Sequence, residues 1–170
     1  MKKNILITGI SGQDGAFLAK NLYKKYKIYG ITRKNNKKNL WKLIKLNIYD
    51  KIKIYEIDLL DTKNLDTFLK INNFSKIYNF AGYSSVKNSM KDDKLANSIN
   101  ILSLFNILNY YRNNNKIKIF HSLSSEMFGI ANKIPQNEKT PLRPITPYGL
   151  SKKINFLTIK EFREFYNLKI

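Results

Sequence analysis

Hydrophobic and polar positions follow two rhythms along this chain. Short apolar runs alternate with longer stretches in which apolar residues recur every third or fourth position. NILITG (4–9) is a continuous apolar run, as expected of a strand buried on both faces. GAFLAKNLYKKY then predicts a helix with Phe17, Leu18 and Leu22 on one face. KIYGITR (27–33) predicts a second strand, and NNKKNLWKLIKLN a basic connection that is partly helical. KIKIYEIDLLD (51–61) predicts a third strand and TKNLDTFLKIN a helix after it. SKIYNFAG (75–82) predicts a fourth strand. The long stretch 92–112 predicts a helix with Ile101, Leu104, Phe105 and Leu108 as its apolar positions. KIKIFHSLSS (116–125) predicts a fifth strand, NKIPQNEKTPLRPITP a proline-bearing loop, and YGLSKKINFLTIKEFREFY a last helix.

Strand and helix alternate throughout, so the expected fold class is α/β: a Rossmann-type, doubly wound parallel sheet with helices on both faces. No internal repeat or low-complexity linker divides the chain, which makes residues 1–170 one domain. The 43% hydrophobic content suits a folded chain. The absence of cysteine excludes disulfides and thiolate metal sites, and a single histidine leaves little for an imidazole-based one. No apolar run approaches the roughly 20 residues that span a bilayer, and no secretory signal is visible. The expectation is a soluble cytoplasmic protein with no membrane partner.

The formal net charge is +19. Nucleic acid is one possible partner for such a charge. The lysines are scattered, however, and accompany no nucleic-acid-binding motif. Attraction of an anionic nucleotide is the simpler use of the charge.

Gly9, Gly12 and Gly15 form G-x-x-G-x-x-G between the first strand and the first helix. The first allows a tight turn, the second lets backbone approach a pyrophosphate, and the third allows close helix–strand packing. The helix N-terminus then offers free N–H groups to the phosphates. At the end of the second strand an acidic residue would favour NAD through the ribose 2′-hydroxyl. Arg33, with Lys34 beside it, instead suits the 2′-phosphate of NADP. Both cations also fit a merely solvated basic loop.

Tyr148 and Lys152 stand four apart and share a helix face. A Lys cation beside a phenol favours the phenolate, which can take a proton from a substrate hydroxyl while the adjacent carbon gives up hydride. Tyr-x-x-x-Lys alone also fits an exposed helix face. Ser124 and Glu126 follow the fifth strand, at the end of the sheet where such folds present functional groups.

Together these motifs resemble the extended short-chain dehydrogenase/reductase family, and within it the GDP-mannose 4,6-dehydratase branch. The resemblance rests on ITGISGQDGAFLA, IYEIDLLD, KIYNFAGYSSV, SSEMFG, IPQNEKTPLRPITPYG and Tyr148-x-x-x-Lys152, and covers nearly all the chain. It implies a cofactor loop of Gly9, Ser11, Gly12, Gln13, Asp14 and Gly15. Arg33 would meet the 2′-phosphate, and Asp58 and Leu59 would flank the adenine. Phe80, Ala81, Gly82 and Ser84 would line the cofactor at the fourth strand. Lys152 would hold the nicotinamide ribose and tune Tyr148. The implied chemistry starts with Tyr148 taking the C4 hydroxyl proton and NADP the C4 hydride. Glu126 then removes the C5 proton, water leaves C6, and hydride returns to C6. Ser124 would hydrogen-bond the C4 oxygen, where the family often has Thr. A homo-oligomer paired through the long and last helices is implied as well.

Some positions depart from the family pattern. FAGYSS stands where the mannose enzymes show a Leu-Gly-Ala-Gln-Ser-His-like run, so Tyr83 leaves GDP-mannose and GDP-manno-heptose both open as substrates. The chain also ends before the expected sixth strand and substrate lobe. It is therefore expected to show little or no turnover of GDP-mannose alone, and an inactive fragment stays open. A cofactor-sensing module is a further reading, disfavoured because a sensor has no use for Ser124, Glu126, Tyr148 and Lys152 together. Trp41 is expected as a core or helix-face anchor and His121 as a packed residue.

Overall fold

The computed structural model of the chain describes residues 2–83, 93–131 and 134–170. Five parallel strands, β1 (Asn4–Thr8), β2 (Lys27–Thr32), β3 (Lys53–Glu56), β4 (Lys76–Asn79) and β5 (Lys118–His121), lie in the order β3-β2-β1-β4-β5. They are joined by α1 (Gln13–Leu22), α2 (Trp41–Lys45), α3 (Thr62–Asn72), α4 (Asp93–Tyr111) and α5 (Pro147–Tyr166). The expected α/β sheet is thus present. Strand order reverses between β1 and β4, which opens a crevice beyond their C-terminal ends.

The two faces of β1 feed two cores. Ile5 and Ile7 pack with Ile10, Ala16, Ala19, Ile28, Leu40, Leu43 and Ile48 beneath α1 and α2. Leu6 points the other way, into a core with Tyr29, Ile31, Leu65, Ile77, Leu104, Leu108 and Phe162 under α3, α4 and α5. A central strand needs apolar residues at every position for this, which the run NILITG supplies.

Three expectations need correction. Helix α1 does not bury Phe17, which is 53% exposed; it buries Gly15, Ala16 and Ala19. The small residues let the helix lie close to the glycine loop, where a Cβ on Gly15 would stand 2.5 Å from the Gly9 carbonyl oxygen. The third and fifth strands are shorter than 51–61 and 116–125. The Asp58 carboxylate accepts the Leu60 N–H at 3.0 Å and turns the chain after β3. After β5, Ser124 Oγ accepts the Glu126 N–H at 3.3 Å and starts a 3-10 turn over Ser125–Met127. The last residues, after α5, lie beside β5. Lys169 bridges Lys118 in parallel, and its carbonyl accepts the Ile119 N–H at 2.8 Å.

Trp41 is a half-exposed helix-face residue rather than a core one, with Lys42 Nζ 4.8 Å from its ring centroid. Phe105 is likewise 44% exposed. Among the described residues no helix is long and apolar enough to cross a membrane.

Candidate active site

Gly9 follows β1 with φ +66°, a conformation that favours glycine, and a Cβ there would stand 2.8 Å from the Ala81 nitrogen. The loop closes by the Gly12 N–H donating to the Gly9 carbonyl at 2.9 Å. Gly12 caps α1 without any side-chain hydrogen bond, and Gly12, Gln13 and Asp14 are exposed. The first-turn N–H groups are thus left for an outside acceptor, and the donor set fits a pyrophosphate.

Ser11 is half-buried, with its hydroxyl 3.5 Å from Thr32 Oγ1 and its carbonyl accepting from Lys42 Nζ at 3.3 Å. Arg33 and Lys34 follow β2 and are exposed. Asn39 shapes the loop after them by donating to Thr32 Oγ1 at 2.9 Å and the Lys34 carbonyl at 2.7 Å. Glu56, at the end of β3, accepts the Asn35 N–H at 2.8 Å. Lys42, which sequence placed only in a basic connection, thus reaches the glycine loop, as does Thr32 at the end of β2, which Arg33 and Lys34 follow.

Asp58 is exposed, whereas the Leu59 side chain is built into the core and leaves only backbone for a ligand. The Leu59 carbonyl accepts Asn106 Nδ2 at 2.9 Å. At the end of β4, the Ala81 N–H donates to Thr8 Oγ1 at 3.1 Å. Phe80 is half-buried against Phe120, and Gly82 is exposed with Asn100 Oδ1 where a Cβ would go. Ser84 lies outside the described residues.

The residues expected to carry acid–base chemistry are gathered around α5. Thr146 Oγ1 accepts the Gly149 N–H at 3.0 Å and Pro147 opens the helix, which puts Tyr148 in the first turn. Gly149 lies flat against the Ser125–Met127 turn, where a Cβ would be 2.5 Å from the Glu126 carbonyl oxygen. That approach brings the Glu126 backbone beside Tyr148, and Ser124 caps the same turn. One helical turn on, Lys152 is buried, its Nζ 5.7 Å from the Tyr148 ring centroid and donating to the Ser122 carbonyl at 2.8 Å. Burial pulls the Lys152 ammonium down from 10.5 to about 8.

Sequence reasoning missed a buried polar layer beneath this site: Thr8, Asn79, Asn100, Ser151 and Asn155, all nearly solvent-free. Asn100 Oδ1 accepts the Tyr83 N–H at 2.7 Å, and Asn100 Nδ2 donates to Ser151 Oγ at 3.0 Å. Ser151 Oγ in turn donates to the Tyr148 carbonyl at 2.7 Å. His121 sits among them, packed as expected. Burial, and after it the Lys152 cation, push its pKa down from 6.5 to about 3, so the imidazole is neutral. The available signal was a polar residue interrupting each apolar run, as Asn79 does in KIYNF.

A family model described as GDP-mannose 4,6 dehydratase matches residues 6–170. The GDP-mannose 4,6 dehydratase of Cricetulus griseus is 32% identical over 98% of this chain and 48% of its own length. The chain thus spans about half the length of the curated relatives it matches. The solved UDP-N-acetylglucosamine 4-epimerase from Methanobrevibacter ruminantium, in complex with UDP-N-acetylmuramic acid, superposes with a TM-score of 0.85. It is 28% identical and covers 99% of this chain and 53% of its own. UDP-glucose 4-epimerase from Bifidobacterium longum, in complex with NAD+ and UDP, shares the fold at TM-score 0.83 and 22% identity, over 95% of this chain and 49% of its own.

Proposed function

The chain belongs to the GDP-mannose 4,6-dehydratase family, and from that premise we propose that residues 1–170 are the NADP-binding, acid–base domain of a nucleotide-sugar 4,6-dehydratase acting on GDP-mannose. One observation carries the reading. Gly149 seats the Glu126 backbone beside Tyr148, while Lys152 shares the Tyr148 face. A dehydration needs two basic groups at one sugar, one for a hydroxyl proton and one for a carbon-bound proton, and an ordinary cofactor-binding fold needs neither.

In this reading Tyr148 takes the proton of the C4 hydroxyl and Ser124 hydrogen-bonds the same oxygen. Lys152 holds positive charge next to the phenol and meets the nicotinamide ribose. Glu126 removes the C5 proton, which the C4 ketone acidifies, and passes it to the departing C6 hydroxyl so that water leaves. NADP, when bound, accepts the C4 hydride and returns it to C6. Gly9, Ser11, Gly12, Gln13, Asp14 and Gly15 hold the pyrophosphate, with Asp58, Leu59, Phe80, Ala81, Gly82 and Ser84 along the rest of the dinucleotide. Arg33 supports NADP over NAD, and Lys42, which reaches the glycine loop, adds a second cation. A homo-oligomer in the cytoplasm belongs to the proposal as well. Its support is the apolar surface on α4 and α5, with Leu102, Phe105, Leu150 and Leu157 between 44% and 51% exposed.

Single-turnover mass spectrometry tests the chemistry, with the chain in excess over GDP-mannose and NADP supplied. Little turnover is expected of this chain alone, but with the chain in excess even one slow conversion per site gives a detectable sugar nucleotide lighter by one water. Glu126→Gln should stop at the 4-ketone, and Tyr148→Phe should leave the substrate intact. A variant pair that behaves like wild type would overturn these roles.

A further inference from the structure

His121 is the only histidine of the chain, buried at the C-terminal end of β5. A side-chain amide meets each ring nitrogen. The Asn79 carboxamide lies 3.0 Å from Nδ1 and Asn155 Nδ2 lies 3.1 Å from Nε2. The far side of the Asn79 carboxamide touches Thr8 Oγ1, which also accepts the Ala81 N–H. Asn155 Nδ2 is also 3.1 Å from the Asn100 carbonyl oxygen.

Counting protons on this chain of bonds leaves one arrangement. The Asn100 carbonyl can only accept, so Asn155 must face it with its NH2 group. The second hydrogen of that group points at His121 Nε2, which must then accept and bears no proton. A neutral imidazole carries one proton, so it sits on Nδ1. Nδ1–H needs an acceptor, and the group that faces it is the Asn79 carboxamide. Asn79 is placed with Nδ2 toward the ring and Oδ1 toward Thr8 Oγ1; the proton count exchanges these two ends of the carboxamide, turning its oxygen to the ring and its nitrogen to Thr8 Oγ1. With the Asn79 nitrogen toward the ring, both ring nitrogens would have to accept, which no neutral imidazole can do. A proton on Nε2 would aim at an NH2 group. An imidazolium would do the same, so the Asn155–Asn100 contact excludes the charged form on geometry as well. Lys152 is the charged group acting on the ring; its partners from β4 and α5, Asn79 and Asn155, are uncharged.

We propose that His121 is a positioning residue: locked as the Nδ1–H tautomer, it ties the end of β1 that enters the glycine loop, through Asn79 and Thr8, to the helix bearing Tyr148 and Lys152, through Asn155. The two ends of the tie are the Thr8–Ala81 bond and the Asn100 bonds to Tyr83 and Ser151. This inference rests on the bonding pattern and is independent of which cofactor the glycine loop takes.

The test is a long-range proton–nitrogen spectrum of the full chain labelled with nitrogen-15 histidine, where every imidazole signal belongs to His121. Expected are a protonated-type Nδ1 and a bare, acceptor-type Nε2, unchanged from about pH 8 to about pH 5. An Nε2–H tautomer, averaged shifts, or a ring that titrates near its ordinary value would overturn the lock. The tie is read from amide hydrogen exchange in two variants. His121→Leu removes both ring bonds, while His121→Gln still offers one N–H and one carbonyl. Exchange at Ala81 and Tyr83 should speed up about tenfold in His121→Leu and return to within about twofold of wild type in His121→Gln. Unchanged exchange at both amides in a folded His121→Leu, or equal acceleration in both variants, would overturn the tie. If His121→Leu does not fold, the comparison of wild type with His121→Gln and the wild-type spectrum still decide the proposal.

Discussion

Acid sensitivity from one buried imidazole can be worked out in advance. In the unfolded chain His121 titrates near 6.5; in the fold it is held near 3 by burial and by the Lys152 cation. Between those values the unfolded chain binds one proton that the folded chain refuses. Stability is therefore complete above pH 6.5 and falls as pH drops toward 3, with a slope of about 1.4 kcal/mol per pH unit. By pH 5 the loss is about 2 kcal/mol, a sizeable part of the roughly 5–15 kcal/mol of a typical domain. The interval from pH 6.5 to 5 is clean, because there is no second histidine and carboxylates titrate lower. Urea denaturation followed by circular dichroism, at several pH values across that interval, measures the slope. His121→Gln, which takes up no proton, should be flat. A wild type equally stable at pH 7 and pH 5, or a His121→Gln variant with the same slope as wild type, would refute the reasoning.

Other consequences can be checked with single substitutions. Lys152 carries its charge in the interior below about pH 8, against 10.5 unfolded. Lys152→Met should raise urea stability by about 2 kcal/mol near pH 7, after allowing for the lost bond to the Ser122 carbonyl, and the gain should vanish above about pH 10. A gain that does not depend on pH would contradict the depressed Lys152. Gly9→Ala must take up φ +66° and place a Cβ 2.8 Å from the Ala81 nitrogen. A loss of about 2 kcal/mol or more is expected in the same assay, together with loss of dinucleotide binding. Arg33→Glu should weaken NADPH binding by about tenfold or more, the worth of one charge-assisted hydrogen bond, and leave NADH binding little changed in a fluorescence titration.

The sheet was legible because each strand carries a local mark. β1 is apolar on both faces, and every change from a continuous to a helical rhythm coincides with a strand end. The glycine loop was legible for the same reason, since Gly9, Gly12 and Gly15 sit at such a change. The buried face of α1 was not, because hydrophobicity favours Phe17 while close packing on the loop selects Gly15, Ala16 and Ala19. The ends of β3 and β5 are set by single side-chain bonds from Asp58 and Ser124, which strand-like composition hides. Tyr148 and Lys152 could be paired on one helix from spacing alone. That Glu126 joins them depends on Gly149 packing against a turn from elsewhere in the chain, a tertiary contact with no local trace. The layer of Thr8, Asn79, Asn100 and Asn155 around the expected packed His121 was missed for a related reason. The hydrogen bonds of these side chains run to partners far away in sequence, so locally each residue looks like a break in an apolar run.

The most direct test of the dinucleotide site, on which the dehydratase reading stands, is a fluorescence titration of the purified, folded chain with NADPH and in parallel with NADH. The account predicts saturable NADPH binding, at least about tenfold tighter than NADH, as expected for a 2′-phosphate held by Arg33 at the rim of the glycine loop. Absence of binding by either nucleotide to a chain shown to be folded would contradict it.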